Sequence, residues 1–490
     1  MTVGIHAFGG YVPQLRLERS AIFGAHAWFN PGLKGLAKGQ RAMANWDEDS
    51  VTMAVEAARD CLGGAGAREL AGVYFASTSL PFQDRQNAGV IAEALSLGHD
   101  LLTLDVAGSQ RAGTSALTAA LQAAMGAGKP VLVAAGEKRR ARAASPIELT
   151  AGDGAAALLV GPGDGAAKLL GRHTLAVDFV DHYRGQDEAY DYTWEERWIR
   201  DEGYMKLVPK ACEQALAAAG IKAADVAHFC FPAAAARVAG SIAKKLGIPE
   251  AAVRDNLQSN MGEAGAAHPL VMLVAALEAA KPGEKILVTG FGQGCDALVF
   301  EATAAISKAR PAAGVSGYLA RGRSESNYQR YLAFNDLIEL ERGLRAEVDK
   351  QTGMTTLYRN KEMLLALVGG KCRQCGTLQF PKTNVCVNPN CGAVDSQDDH
   401  PFSGARARLN SFTADRLTYS PDPPAYYGMV QFEEGGRVMI DFTDVDPAKG
   451  LQVGMPMHMV FRVKDYDTKR GFRRYYWKAA PVIGQAAKGD

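Results

Sequence analysis

The chain has 490 residues, 47% of them hydrophobic, and its 54 Lys and Arg nearly cancel its 53 Asp and Glu. That length exceeds one ordinary domain, and that apolar content fills two or three cores. The charge balance creates no overall field for nucleic acid or an anionic membrane, so a polyanionic ligand has to be caught locally.

The N-terminus, MTVGIHAFGGYVP, has no basic stretch ahead of an uninterrupted apolar run. No later segment reaches the roughly 18 apolar residues of a membrane span, so the expectation is a cytoplasmic protein with no membrane partner. Up to about residue 305 the chain is rich in Ala and Gly. Short apolar runs, GVYFAS (72–77), PVLVAAG (130–136), AALLVG (156–161), HFCFP (228–232) and KILVTG (285–290), lie between amphipathic stretches. Strands alternating with helices predict a layered α/β architecture. Within it, ALTAALQAAMGAGKPVLVAAG (116–136) and PLVMLVAALEAAKPGEKILVTG (269–290) each read as an Ala-rich helix, a turn and a buried strand. A period this long exceeds any solenoid repeat, so it predicts a duplicated domain-sized unit over 1–305, with halves of about 1–165 and 166–305.

The stretch 306–365 is read as a linker. It opens with SKARPAAGVSGYLARGRSES, rich in Gly, Ser, Pro and Arg, and continues with YQRYLAFNDLIELERGLRAEVDKQ (328–351). Apolar residues at helical spacing among many charges predict an amphipathic helix there. Residues 366–400 contain KCRQCGTLQFPKTNVCVNPNCG (371–392), a C-x2-C-x10-C-x4-C pattern with Gly after the second and fourth cysteines. Two close thiol pairs fit a tetrahedral zinc site on Cys372, Cys375, Cys386 and Cys391. Four protein ligands leave no open position, which predicts a structural Zn2+ in a zinc ribbon. The remaining cysteines, Cys61, Cys212, Cys230 and Cys295, are scattered and read as free thiols. From 401 to 490, ARLNSFTADRLTY, YYGMVQFEEGGRVMIDFTDV, GMPMHMVFRVKDYD and GFRRYYWKAAPV are β-rich stretches with hairpin turns, which predicts a small all-β barrel of the OB-fold kind. It lacks the dense Lys/Arg and aromatic stripe of a nucleic-acid binder, so no nucleic-acid partner is expected.

Five motifs, in order, carry a resemblance: DVAGSQRAGTSAL, AGEKRRARAASPIELTAGDGAAALLVG, DHYRG followed by YTWEERWIRDEGY, SNMGEAGAAHPL, and the terminal loop TGFGQG. With them the first 305 residues resemble the thiolase superfamily, in particular the branch of 3-hydroxy-3-methylglutaryl-CoA synthase and ketoacyl synthase III. The rest resembles the zinc-ribbon/OB-fold module that accompanies such thiolase-like proteins and is associated with acyl-CoA binding. The resemblance implies a layered, duplicated thiolase fold, a coenzyme A thioester as substrate, and a homodimer.

It also implies a cysteine nucleophile at a helix N-terminus, where the dipole and nearby amides lower a thiol's pKa. Gln110 stands in that place. The family's histidine falls at Pro232, its asparagine at Glu263 and the synthase glutamate at Thr78. Without a thiol at 110, ping-pong acyl transfer has no covalent carrier. Cys295, just past the Gly loop, is read as a small buried thiol rather than a replacement. The first expectation is therefore non-covalent aldol or retro-aldol chemistry on a β-hydroxyacyl-CoA. Gln110 and helix-end amides would stabilise the enolate, with Glu263, His268 or Tyr183 as base. Decarboxylation of a malonyl-type thioester, acyl transfer by another arrangement, and a non-catalytic acyl-CoA-binding scaffold stay open. Lys138, Arg139, Arg140 and Arg142 form either a solvated loop or a clamp for the CoA phosphates, and Gly292 and Gly294 would border the substrate.

Overall fold

The apolar runs of the first 305 residues become one nine-stranded sheet in the computed structural model, which describes residues 2–63, 69–233, 235 and 237–482. Its strands are β1 (Val3–Tyr11), β2 (Gly72–Ala76), β3 (Leu102–Val106), β4 (Val131–Glu137), β5 (Gly154–Pro162), β6 (Ala167–Ala176), β9 (Val226–Cys230), β10 (Lys285–Phe291) and β11 (Gly294–Ala302), while β7 (His182–Tyr183) and β8 (Tyr192–Thr193) form a separate hairpin. The sheet order is β9-β10-β11-β6-β1-β5-β4-β2-β3. β2 runs parallel to β3 and β4, and β4 is antiparallel to β5, which is antiparallel to β1. The second half repeats the pattern: β9 is parallel to β10, β10 antiparallel to β11, and β11 antiparallel to β6. A parallel bridge from Phe229 to Val253 stands where the counterpart of β3 would be. β1 and β6 pair at Gly4–Lys168 and Ile5–Ala167, so the two halves meet at their corresponding strands.

The duplicated helices are α2 (Ala112–Ala127) and α4 (His268–Ala279), each leading into a buried strand as the repeat predicts. Their small residues have a packing reason. A Cβ on Gly113 would lie 2.2 Å from the Ala266 carbonyl oxygen, a separation only glycine allows. α1 (Ser50–Leu62) starts in a capping box in which Asp49 accepts from Thr52 N at 2.9 Å, and it ends at Gly63 with φ +62°. A second helix of the later half, α3 (Met205–Ala219), buries Val208, Ala211, Cys212, Ala215 and Leu216.

The first compact unit comprises residues 1–45, 49–91 and 98–335, and the second 46–48, 92–97 and 336–490. The long amphipathic helix expected over 328–351 is corrected by the structure. An α-helix forms only over Tyr328–Phe334, followed later by one short 3-10 turn at Leu344–Ala346. Asn335 Nδ2 then donates back to Tyr331 O at 2.9 Å, and Asp336 takes φ +54°. Tyr328, Tyr331, Leu332 and Phe334 are buried, whereas Leu340, Leu344 and Val348 are more than half exposed. A short helix needs an apolar face to pack, and past Asn335 those side chains find none.

In the second unit, β12 (Val368–Cys372), β13 (Leu378–Gln379) and β14 (Gln397–Pro401) form the ribbon sheet, in order β13-β12-β14. β15 (Ala407–Asp415), β16 (Ala425–Phe432), β17 (Arg437–Asp441), β18 (Pro456–Asp467) and β19 (Phe472–Pro481) form an antiparallel sheet in order β17-β16-β15-β18-β19. A bridge from Phe442 to Ala479 joins its two edges, and irregularities at Leu409/Ser411 and Val463/Asp465 give the curvature that closure requires. Phe432, Phe461 and Trp477 fill the interior, and Trp477 Nε1 donates to Leu365 O at 2.7 Å.

Candidate active site

Gln110 sits in the turn between β3 and α2, two residues before the first turn of that helix. Three side chains come together around Gly265, the left-handed residue (φ +50°) that begins the turn into α4. A Cβ there would lie 2.7 Å from Gln110 Oε1, 3.2 Å from Glu137 Cγ and 3.3 Å from Arg139 Cδ. Gln110 Oε1 is buried and has no hydrogen-bond partner among the described residues. On its other side, the terminal Gly loop closes onto the same turn. Ser109 Oγ donates to Gly292 O at 3.0 Å, and a Cβ on Gly292 would come within 3.1 Å of the Gln110 and Arg111 nitrogens. Gly294, with φ +116°, packs instead against the Leu175 backbone. The start of α2 is held by Asp296, which accepts from Arg111 Nη1 at 2.9 Å, Thr114 Oγ1 at 2.9 Å and Ser115 Oγ at 2.8 Å.

Glu137, at the end of β4, is fully buried. Its carboxylate accepts from Thr78 N (2.6 Å), Thr78 Oγ1 (3.0 Å) and Ser79 Oγ (2.6 Å). Burial pushes this carboxyl above the usual range, although Ser79, Thr78 and Arg139 oppose the shift. Thr78 thus holds a carboxylate that arrives from the neighbouring strand. Sequence reasoning missed Glu137. Its signal was an acidic residue ending the apolar run PVLVAAGE.

Arg139 pairs with Glu263 and, at 2.8 Å, with Asp191, while its backbone N–H donates to Asp153 Oδ1 at 2.9 Å. Burial opposes the guanidinium charge, but Glu263 and Asp191 outweigh it and hold the group firmly protonated. Asp191 also pairs with Arg184 at 3.0 Å, and Arg184 donates to Thr78 O. Burial works against the Asp191 charge too, yet Arg139 and Arg184 keep its carboxyl below the usual range. Tyr204 packs edge-on against Phe231 and Phe291, and burial, with the charges of Asp181 and Glu263, pushes its phenol well above its ordinary value.

The expected residues are therefore not all used alike. Gln110, Glu263 and Arg139 converge. Lys138 does not face a phosphate, because its Nζ donates to Asn45 O and Phe334 O, each at 3.2 Å. Arg139 is likewise committed to carboxylates. A clamp made of all four basic residues is thereby corrected, since Lys138 and Arg139 are engaged within the protein; Arg140 is half-buried, and Arg142 is exposed and lies over the Tyr190 ring at 5.3 Å. His268 is fully buried with both nitrogens engaged: Nδ1 accepts from Ala264 N at 3.0 Å and Nε2 meets Asn256 O at 2.9 Å. Burial lowers its pKa, so the ring is a neutral brace for the turn into α4. Tyr183 is 57% exposed on the β7–β8 hairpin, beside Tyr192 at 5.5 Å between centroids.

The four thiols outside the ribbon are all buried. Cys295 and Cys212 share the apolar cluster of β11 and α3, and burial raises both thiols; burial also lifts Cys230 to about 12. Such thiols are inert. In the ribbon, the four Sγ atoms lie within 4.8 Å of one another, with Cys372–Cys391 at 3.9 Å and Cys375–Cys386 at 3.5 Å. Tetrahedral zinc with thiolate ligands sets sulfur atoms about 3.8 Å apart, so the residues fit the ion.

Residues 216–301 match the family 3-oxoacyl-[acyl-carrier-protein] synthase III C terminal, 364–395 the ChsH2 rubredoxin-like zinc ribbon domain, and 399–462 the ChsH2 C-terminal OB-fold domain. The hydroxymethylglutaryl-CoA synthase of Aeropyrum pernix is 31% identical over 337 residues, covering 67% of this chain and 93% of that protein. The chain belongs to the hydroxymethylglutaryl-CoA synthase family. The hydroxymethylglutaryl-CoA synthase of Thermococcus sibiricus is likewise 31% identical, over 61% of this chain and 85% of its own. Among solved structures, an HMG-CoA synthase complexed with CoA superposes with a TM-score of 0.61 at 19% identity, over 72% of this chain and 96% of that one. OleA of Xanthomonas campestris superposes with 0.55 at 19% identity, over 61% and 98%. In this member of the hydroxymethylglutaryl-CoA synthase family, the thiolase-like fold is followed in the same chain by a zinc ribbon and an OB-fold.

Proposed function

We propose that this protein makes or breaks a carbon–carbon bond in a β-hydroxyacyl-CoA without forming an acyl-enzyme. One observation carries the reading: a carboxamide, Gln110, occupies the mouth of α2, and every thiol outside the ribbon is buried. A carboxamide cannot be usefully acylated, but its N–H and the amides that begin α2 are donors suited to a thioester oxygen as enolate charge builds there. Oε1 of Gln110 is a buried acceptor with no partner among the described residues, which leaves it open to a donor on a bound molecule. In the cleavage direction, loss of the β-hydroxyl proton turns C–O into a carbonyl, the Cα–Cβ electron pair moves into the enolate, and a proton delivered to Cα releases the shorter CoA ester. Arg142, exposed beside Tyr190, is the basic residue of this loop we assign to the CoA phosphates, and the ribbon's zinc supplies folding energy rather than chemistry. The working assembly is a cytosolic homodimer, checked by light scattering of the purified protein.

The test is mass spectrometry after incubation with a panel of acyl-CoA and β-hydroxyacyl-CoA esters. A new aldehyde or ketone together with a shorter CoA ester, and no mass added to the protein, is the expected result. A stable acyl adduct refutes it. Gln110→Ala should lower turnover by roughly a hundred- to a thousand-fold, the effect of losing one oxyanion donor.

A further inference from the structure

The β7–β8 hairpin carries a second titratable pair, outside the Gln110 cluster. Asp181 is 7% exposed, and its Oδ2 lies 2.8 Å from His182 Nδ1. A carboxylate at that distance accepts from Nδ1–H, which fixes the tautomer and leaves the Nε2 lone pair outward. No protein group among the described residues takes Nε2. The ring lines a cavity of about 200 Å³ whose walls include Val180, Tyr183, Tyr192, Trp194 and Trp198.

The hairpin is tied to the Gln110 cluster by its charged residues. Arg184, two residues beyond His182, donates to Thr78 O, and Asp191 accepts from Arg139 at 2.8 Å. His182 pairs across the ladder with Thr193, two residues after Asp191. Of the residues expected as base, His268 has both nitrogens engaged and Glu263 is paired with Arg139, while Tyr183 lines the same cavity as His182; Glu137 accepts three hydrogen bonds.

We propose that His182, oriented by Asp181, is the group that takes the β-hydroxyl proton, an inference that rests on the carbon–carbon cleavage proposed above. Nε2 accepts the proton, Asp181 stabilises the imidazolium, and the same proton returns to Cα of the enolate, so the step needs no further reactant. Asp181 acts through the ring as a positioning residue.

His182→Gln should lower turnover roughly a hundred- to ten-thousand-fold while binding of 3-hydroxybutyryl-CoA changes little, with His182→Asn as the second variant if the first does not fold. Asp181→Asn should lower kcat while leaving KM for 3-hydroxybutyryl-CoA nearly unchanged, because the ring loses the carboxylate that orients it. Diethyl pyrocarbonate should label His182 in the wild type, and saturating 3-hydroxybutyryl-CoA should block the label. Full turnover by both His182 variants, or labelling indifferent to the CoA ester, overturns the dyad and leaves the reaction standing. If the wild type cleaves no β-hydroxyacyl-CoA, the reaction itself falls, and the protection experiment then decides whether His182 belongs to the binding site.

Discussion

Gly265→Ala separates the geometry of the site from the stability of the fold. The substitution places a methyl group 2.7 Å from Gln110 Oε1, and an ordinary contact begins near 3.4 Å, so the carboxamide has to retreat by about 0.7 Å. Glu137 Cγ and Arg139 Cδ, at 3.2 and 3.3 Å, block two directions of relief. A misplacement of about 1 Å can cost on the order of a hundredfold in rate, so a loss of several tens-fold in kcat/KM is expected. The left-handed backbone adds a stability cost of about 1–2 kcal/mol, a shift of only a few degrees in melting temperature for a unit of this size. The assay is chromatographic measurement of the shorter CoA ester, paired with thermal unfolding of the same sample. Wild-type kcat/KM in a folded variant would refute the argument that Gln110 must stay where Gly265 lets it sit. A melting drop beyond about 10 °C would mean instead that Gly265 serves the fold.

Two further outcomes are expected. The purified protein should contain about one zinc per chain by elemental analysis, and Cys375→Ser should abolish that zinc and destabilise the ribbon, since structural zinc binding is coupled to folding; a folded, zinc-free ribbon would contradict the assignment. Glu137 has a raised carboxyl pKa, so its contribution to stability is fully present below the ordinary carboxylate range and is lost as pH rises through its folded-state value. Wild type should therefore lose stability relative to Glu137→Gln as pH increases across that window. A difference independent of pH would mean that burial does not govern this carboxyl.

The amino-acid sequence by itself determined what depends on local spacing. The ribbon's four cysteines were legible because a tetrahedral ion requires two close thiol pairs, and the structure gathers their sulfur atoms within 4.8 Å. The duplication was legible because the two Ala-rich helix–strand units must each supply small residues where α2 meets the turn before α4, as at Gly113 against Ala266. The helix expected beyond Asn335 was misread because helical spacing records which residues could share a face, not whether anything covers it. Only the tertiary structure decided the chemistry of individual side chains. Lys138 and Arg139 look in sequence like phosphate ligands, yet backbone carbonyls and two carboxylates claim them. His268 looks like a base until both its nitrogens are taken. Glu137 reaches Thr78 from a neighbouring strand, 59 residues away along the chain. A hydrogen bond is a meeting of two atoms in space, and the residues that supply them in this site come from separate strands, turns and a hairpin, so no pattern along the chain could have stated which donor each acceptor would find.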